Sequence, residues 1–190
     1  MASDPDAALM VAFQGGDESA FRALFEKYGR AMVSYCHHFV RDQGRAEELA
    51  QDVFLKVYRS SGRYQPTARF KTFLYRIASN HCLNELRRGD RRRRDAEPPD
   101  PDALPSRDAT PEDHARGAAL ERAVAALLAR LPESQRAALV LCRLEGLSHE
   151  EIAEVLGTTV SAVKSLVHRA TVAAADALAP FAADGKEVLP

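Results

Sequence analysis

The sequence predicts an all-α protein built from two small helical units joined by an acidic linker, and three observations carry that prediction. First, alanine, leucine, glutamate and arginine dominate the 190 residues, and the apolar positions recur at three-four spacing instead of alternating. Second, hydrophobic residues make up 46% of the chain, enough for true cores. Third, a stretch from Asp95 to Pro111 carries Pro98, Pro99, Pro101, Pro105 and Pro111 among acidic residues and almost no large apolar ones. Such a segment is stiff, self-repelling and too polar to join a core, so it should separate two helical units and pack with neither.

Charge is segregated along the chain although the net value is only −1. Residues 1–94 carry 17 basic and 11 acidic side chains, 95–115 one and seven, and 116–190 eight and nine. A cationic first unit points to a polyanionic partner. Cys36, Cys82 and Cys142 are far apart and form no disulfide framework or CxxC pair, which suits buried thiols in a reducing compartment. No apolar run is long enough to span a membrane, and the first residues lack a secretory signal pattern, so a cytoplasmic location is expected.

Three helices are expected in the first unit. Asp17 or Ser19 can cap one that runs to Asp42, with Phe21, Leu24, Phe25, Tyr28, Met32, Cys36, Phe39 and Val40 turned to the core. A second starts near Ala46 and breaks at Ser61-Gly62, burying Leu49, Ala50, Val53 and Val57. Glu48, Gln51, Asp52 and Arg59 lie on its other face with Leu55 and Tyr58 among them, a mixture better suited to a protein partner than to water alone. The third, from about Ala68 to Arg88, places Phe70, Leu74, Ile77 and His81 on one face and Arg76, Asn80, Asn84 and Arg87 along a neighbouring strip.

That third helix holds the densest nucleic-acid signal of the unit. Arginines hold phosphates and amides read base edges. Tyr64, Phe73 and Tyr75 interleave with Arg63, Arg69, Lys71 and Arg76, and 63–94 has ten basic residues against two acidic. Aromatic faces set in a basic groove are what single strands require, although core aromatics beneath solvated arginines would show a similar pattern. The run Arg91-Arg92-Arg93-Arg94 adds non-specific phosphate affinity.

Beyond the linker, an amphipathic helix is expected over Ala118 to Leu131, and Pro132 fits the first turn of the next, which carries Ala137, Leu141 and Leu144. Then Leu147 to Arg169 reads as a helix-turn-helix. Ser148 and Glu151 have capping-box spacing, Ile152, Ala153 and Leu156 turn inward, Gly157 ends the first helix, and Thr158 or Thr159 caps a second that buries Val160, Val163 and Val167. On its outer face Ser161, Lys164, Ser165 and His168, with Arg169 beside them, form a small, cationic, hydrogen-bonding stripe sized for a major groove. The plain alternative is a solvated face on a helical hairpin. The tail from about residue 181 is expected to fray.

Catalytic motifs are absent: there is no phosphate-binding glycine loop, nucleophile elbow or paired metal-ligand motif, and no cofactor is expected. Cys36-His37-His38 could suggest zinc, but neighbours on a helix point about 100° apart and no second ligand group is suitably spaced.

Together these motifs resemble a bacterial RNA polymerase sigma factor of the extracytoplasmic-function subfamily. Glu47-Glu48-Leu49-Ala50-Gln51-Asp52-Val53-Phe54-Leu55-Lys56-Val57-Tyr58 is similar to region 2.2, Tyr64 to Arg88 to regions 2.3 and 2.4, and Leu131-Pro132-Glu133-Ser134-Gln135-Arg136 through Ala170 to region 4. The resemblance implies a non-enzymatic subunit that lends promoter specificity to core polymerase. Residues 1–94 would then form a region 2-like domain, 95–115 the linker, 116–180 a region 4-like domain and 181–190 the tail. It implies that Glu48, Gln51, Asp52, Leu55, Tyr58 and Arg59 meet the clamp helices of the largest polymerase subunit, with the flap of the second-largest subunit as a further contact. Arg63, Tyr64, Arg69, Lys71, Phe73, Tyr75, Arg76, Asn80, Asn84, Arg87 and Arg88 would melt and read the −10 element. Thr159, Ser161, Lys164, Ser165, His168 and Arg169 would bind the −35 duplex. The acidic linker would run toward the RNA exit path, and an anti-sigma factor would be a partner. Phe73 stands where the family often has tryptophan and Asn84 where aspartate is frequent. Two other classes explain less: a stand-alone helix-turn-helix regulator accounts only for the last third, and a protein-interaction module needs no aromatics among base-reading amides.

Overall fold

The protein is described from a computed structural model that covers residues 4–95 and 113–181, with side chains over 4–88 and 119–181. Most of the expected linker, and the tail beyond 181, lie outside the described residues. Within them all regular structure is helical: α1 (Pro5–Gln14), α2 (Glu18–Val40), α3 (Gln43–Ser60), α4 (Phe70–Asp95), α5 (Asp113–Arg130), α6 (Glu133–Arg143), α7 (His149–Leu156) and α8 (Val160–Leu178). Short 3-10 turns occupy Ser61–Arg63 and Ala179–Phe181.

Helix α1 was not among the expected elements. Its start is encoded by Asp4-Pro5: the Asp4 carboxylate accepts from the Asp6 amide at 3.2 Å, and Pro5 supplies a helical φ where no donor is needed. It buries Ala7, Met10 and Phe13 against the other helices of the first unit. Asp6, also buried, receives Lys27 Nζ at 2.6 and 2.7 Å and the Tyr28 hydroxyl at 2.5 Å, so α1 is tied to α2 by a charged network. Burial pushes the Asp6 carboxyl up, but the hydrogen bonds from Lys27 and Tyr28 outweigh it and hold the group below its ordinary range.

Asp17 caps α2 as expected, and the helix ends where Arg41 takes a left-handed conformation at φ 61°. The next residue, Asp42, caps α3 through the Arg45 amide at 2.7 Å, so a single residue reverses the chain. Leu24, Tyr28, Met32, Tyr35 and Phe39 of α2 meet Leu49, Val53 and Val57 of α3 and Phe70, Leu74 and Ala78 of α4 in the core. Phe25 departs from the expected core: it is 46% exposed, with its ring edge-on to Phe54 at 4.8 Å. Of the eight expected positions Leu24 is fully buried, and Phe25, about 100° further round the helix, falls at the margin of a buried face that also takes in Tyr35. Helix α4 continues to Asp95, past the expected end at Arg88, and takes the backbone of the arginine run into the helix.

The second unit packs Leu127 and Leu131 with Ala137, Leu141, Ile152, Val155, Val163, Val167, Ala170 and Ala174. Pro132 is the residue that precedes α6 rather than its first turn, and Val155 is buried where Leu156 is only half-buried.

The two units touch. Arg136 donates from Nη1 to the Phe39 carbonyl at 3.4 Å, and α7 with the turn before it lies along α4. Carboxylates of the second unit meet cations of the first: Glu151 pairs with Arg69 at 3.3 Å and Glu133 with Arg87 at 3.5 Å. The opposite charges of these faces supply the physical reason.

Candidate nucleic-acid interface

Helix α4 positions the first set of side chains. At its amino terminus the Phe70 amide donates to Asp4 Oδ2 at 2.7 Å, which fixes the helix to the residue before α1. Arg76, Asn80, Asn84, Arg87 and Arg88 are all exposed, and the first four recur at four, four and three residues, which aligns them on one strip. Arg63 is exposed on the turn before the loop.

The aromatics divide. Tyr64 and Phe73 meet edge-on at 4.9 Å, and the Arg76 guanidinium stands 5.8 Å from the Phe73 ring. Tyr64, Thr67, Ala68, Thr72, Phe73 and Arg76 line a cavity of about 370 Å³ to which Glu154 of α7 also contributes. The Tyr64 hydroxyl and Thr72 Oγ1 are both buried without a hydrogen-bond partner. Thr72 escaped the sequence reading because a lone threonine between charged and aromatic residues carries no periodic signal. Tyr75 is elsewhere: it is 1% exposed, edge-on to Tyr35 at 5.1 Å, and its hydroxyl donates to the Glu145 carboxylate. Tyr75 thus faces the core and the second unit, a half-turn away from the strip, where no base can stack on it in this conformation. Lys71 Nζ donates to the Glu145 carbonyl at 2.5 Å, so Arg69 and Lys71 are both engaged by the second unit.

Helix α8 positions the second set. The capping box of α7 is complete, with the Ser148 amide donating to Glu151 at 2.8 Å and the Glu151 amide to Ser148 Oγ at 3.2 Å. Gly157 turns the chain at φ 62°, a conformation that costs glycine little, and Thr159 caps α8 through the Ala162 amide at 3.2 Å. Val163, Val167 and Ala170 are buried beneath, while Ser161, Lys164, Ser165, His168 and Arg169 stand exposed on the far side. Thr159 is exposed at the helix start.

A third surface lies on α3. Leu55 and Tyr58 are 50% and 47% exposed, and the Tyr58 ring is held by Phe13 at 5.0 Å and Phe21 at 5.3 Å. Beside them Glu48 pairs with Arg45 at 2.6 Å, Asp52 lies 3.2 Å from His81 Nε2, and Gln51 and Arg59 are exposed. Next to this face Phe25, Gly29, Val33, Ala50, Gln51 and Phe54 line a groove of about 700 Å³ between α2 and α3, which the misplacement of Phe25 had hidden.

Among the described residues no group of three His, Cys, Asp or Glu side chains could hold a metal, and no helix is long and apolar enough to cross a membrane. Cys36 and Cys82 are buried 3.7 Å apart at sulfur, and Cys142 is half-buried.

Residues 24–92 match the Sigma-70 region 2 family and 121–172 the Sigma-70 region 4 family. The chain is 36% identical over 170 residues to the ECF RNA polymerase sigma factor SigE of Mycolicibacterium smegmatis, covering 88% of this chain and 66% of that protein. It is 35% identical over 194 residues to the RNA polymerase sigma-H factor of Pseudomonas aeruginosa, covering 95% of this chain and 97% of that one. The solved structure of CnrH in complex with the cytosolic domain of CnrY has a TM-score of 0.70 at 25% identity, over 96% of this chain and 100% of CnrH. Bartonella quintana RpoE, solved in complex with the anti-sigma factor NepR, shares the fold at a TM-score of 0.62 and 21% identity, over 83% and 96% of the two chains. With both sigma regions matched in order and full-length relatives above 30% identity, the chain belongs to the ECF RNA polymerase sigma factors.

Proposed function

We propose that the chain is an exchangeable initiation subunit that binds core RNA polymerase in the cytoplasm and directs it to promoters through two separate DNA-reading faces. The observation that carries this reading is the pairing, in one chain, of the exposed Arg76-Asn80-Asn84-Arg87 strip beside an aromatic-lined cavity with the exposed serine-lysine-histidine stripe of α8. A duplex reader needs only the second. Single-strand capture needs the first, because a base leaving the stack requires an aromatic face and polar partners for its edge. Tyr64 and Phe73 supply the face, and the Tyr64 and Thr72 hydroxyls are partners in want of a bond. Arg63, Arg69, Lys71 and Arg88 surround this cavity and strip as phosphate ligands. The α8 stripe, entered at Thr159, takes the −35 duplex.

Polymerase contact is assigned to α3, where Glu48, Gln51, Asp52, Leu55, Tyr58 and Arg59 offer exposed apolar area among charges, toward the clamp helices of the largest subunit. Region 4 meets the flap of the second-largest subunit. An anti-sigma factor is a further expected partner, since a relative of the same fold was solved with one bound. The protein's role in this reading is recognition, with the chemistry left to the polymerase.

Run-off transcription with purified core polymerase on a library of promoter fragments tests the proposal. Addition of the chain is expected to yield discrete start sites that share −10 and −35 motifs. Binding of the chain to DNA as a dimer, with no start sites and no co-elution with core polymerase, would support the stand-alone regulator instead.

A further inference from the structure

We infer that Gln14, the last residue of α1, is a positioning residue for −10 reading: its side-chain amide holds the loop at 64–69 in the place from which a captured base is recognised. The inference rests on the assignment of the Tyr64–Phe73 cavity as the single-strand site, and it concerns a residue outside that cavity. Gln14 Nε2 donates to the Ser61 carbonyl at 2.7 Å and to the Tyr64 carbonyl at 3.0 Å. A primary amide nitrogen has two hydrogens, and both are engaged. The two carbonyls flank the short 3-10 turn, which is closed by the Tyr64 amide donating to the same Ser61 carbonyl at 2.9 Å. Gln14 therefore fixes the turn and the first residue of the loop together.

The far end of the loop is held by the other end of the same helix, where Asp4 accepts from the Phe70 amide at 2.7 Å. Both ends of the loop are thus tied to one ten-residue helix, about 15 Å long. Helix α1 is itself held in place, because Met10 and Phe13 are buried and Asp6 is bonded to Lys27 and Tyr28 of α2. Within the loop Gln65, Pro66 and Thr67 are exposed and only Tyr64 is buried, so burial alone does not fix its path. That path sets the spacing across the cavity. The loop contributes Tyr64, Thr67 and Ala68 to it and α4 contributes Thr72, Phe73 and Arg76, and the two buried hydroxyls without a partner, of Tyr64 and Thr72, come one from each. A base edge meets both hydroxyls only if the loop keeps its place to within about 0.5 Å. Loosening the loop therefore weakens discrimination between bases and leaves duplex binding and polymerase contact alone.

The test uses the full chain assembled with core polymerase and run-off transcription from a library randomised over the −10 element. Gln14→Met and Gln14→Glu both remove the two donors while keeping side-chain length and helix-forming character, and they differ in charge. Tyr64→Ala marks the −10 position that the cavity serves. Both Gln14 variants are expected to lower the preference for the best base at that same position by about threefold to tenfold, the effect of losing one or two neutral hydrogen bonds, with the other −10 positions, −35 variants and core affinity changed by less than about twofold. Helix content by circular dichroism should match the parent, since Gln14 is exposed at the end of its helix. If helix content falls in one variant, the other decides, because the two share only the missing donors.

Preference equal to the parent's at that position in a folded Gln14 variant overturns the inference. So does an equal loss on every promoter, which would assign Gln14 to the fold alone. If Tyr64→Ala leaves every −10 preference as it was, the cavity is not where the base is captured and the inference falls with that assignment, an outcome distinct from a Tyr64→Ala shift that the Gln14 variants do not share.

Discussion

Asp4 caps α4 from 66 residues away: one carboxylate oxygen accepts from the Asp6 amide at 3.2 Å and the other from the Phe70 amide at 2.7 Å. A single side chain thereby starts two helices, the first of the chain and the one that carries the proposed −10 face. Replacing it with alanine leaves two helix starts short of an acceptor, at about 1 kcal/mol each. Asp4→Ala is expected to lower unfolding free energy by about 1–2 kcal/mol, and Asp4→Asn, whose one amide oxygen can still accept from one of the two amides, by less. Chemical denaturation of the three proteins measures the order.

Acid should weaken the tie between α1 and α2. Asp6 is held below its ordinary range despite burial, so its contribution is fully present above the ordinary carboxylate value and is lost as pH falls through the lowered one. The difference in melting temperature between the parent and Asp6→Asn is therefore expected to be largest near neutrality and to shrink as the pH falls below the ordinary aspartate range. Taking the difference removes the parallel effect of Asp17, whose bonds to Ser19 lower it too. A difference that does not change with pH would mean that the carboxylate charge contributes nothing.

The local signals were the legible ones. The Ser148–Glu151 capping box, the Gly157 turn and the exposed α8 stripe all follow from spacing within one helical turn, and they stand as read. Asp17 and Ser19 are both candidate caps by spacing, and Asp17 is the one that caps α2. Long-range relations left no such trace. Tyr75 and Glu145 are 70 residues apart and Arg69 and Glu151 are 82 apart, and no periodicity connects them, so neither the contact between the units nor the inward turn of Tyr75 was visible. The start of α1 was written in Asp4-Pro5, but a short alanine-rich helix of low amphipathicity gives a weak pattern, and the cap's second role depends on a partner far along the chain.

On α8, Lys164 is exposed at the centre of the stripe, beside Ser161, Ser165 and His168. If it holds a phosphate, Lys164→Ala should reduce the slope of log affinity against log salt by about one for a −35 duplex, with similar losses on all sequences. His168→Ala should instead change the preference among −35 variants. Fluorescence anisotropy across a salt series separates the two, and transcription unaffected by either substitution would remove α8 from DNA reading.

Promoter opening gives the sharpest division, because the strip on α4 carries side chains of two kinds, two amides flanked by two arginines. Asn80 and Asn84 can donate to and accept from a base edge, whereas Arg76 and Arg87 are assigned to the backbone phosphates. Asn80→Ala is expected to relax preference at one or two −10 positions, each by about 1–3 kcal/mol of discrimination, and to leave the best remaining promoters nearly as active. Arg87→Ala should weaken opening by a similar factor on every promoter. Arg87 also pairs with Glu133 at 3.5 Å, so Glu133→Ala serves as the control for loss of that ion pair alone. Run-off transcription across a −10 library, with permanganate reactivity of unpaired thymines as the readout of melting, distinguishes the two patterns. An Asn80→Ala protein that loses activity equally on all variants assigns Asn80 to structure and moves base reading to Asn84 or to the Tyr64 and Thr72 hydroxyls.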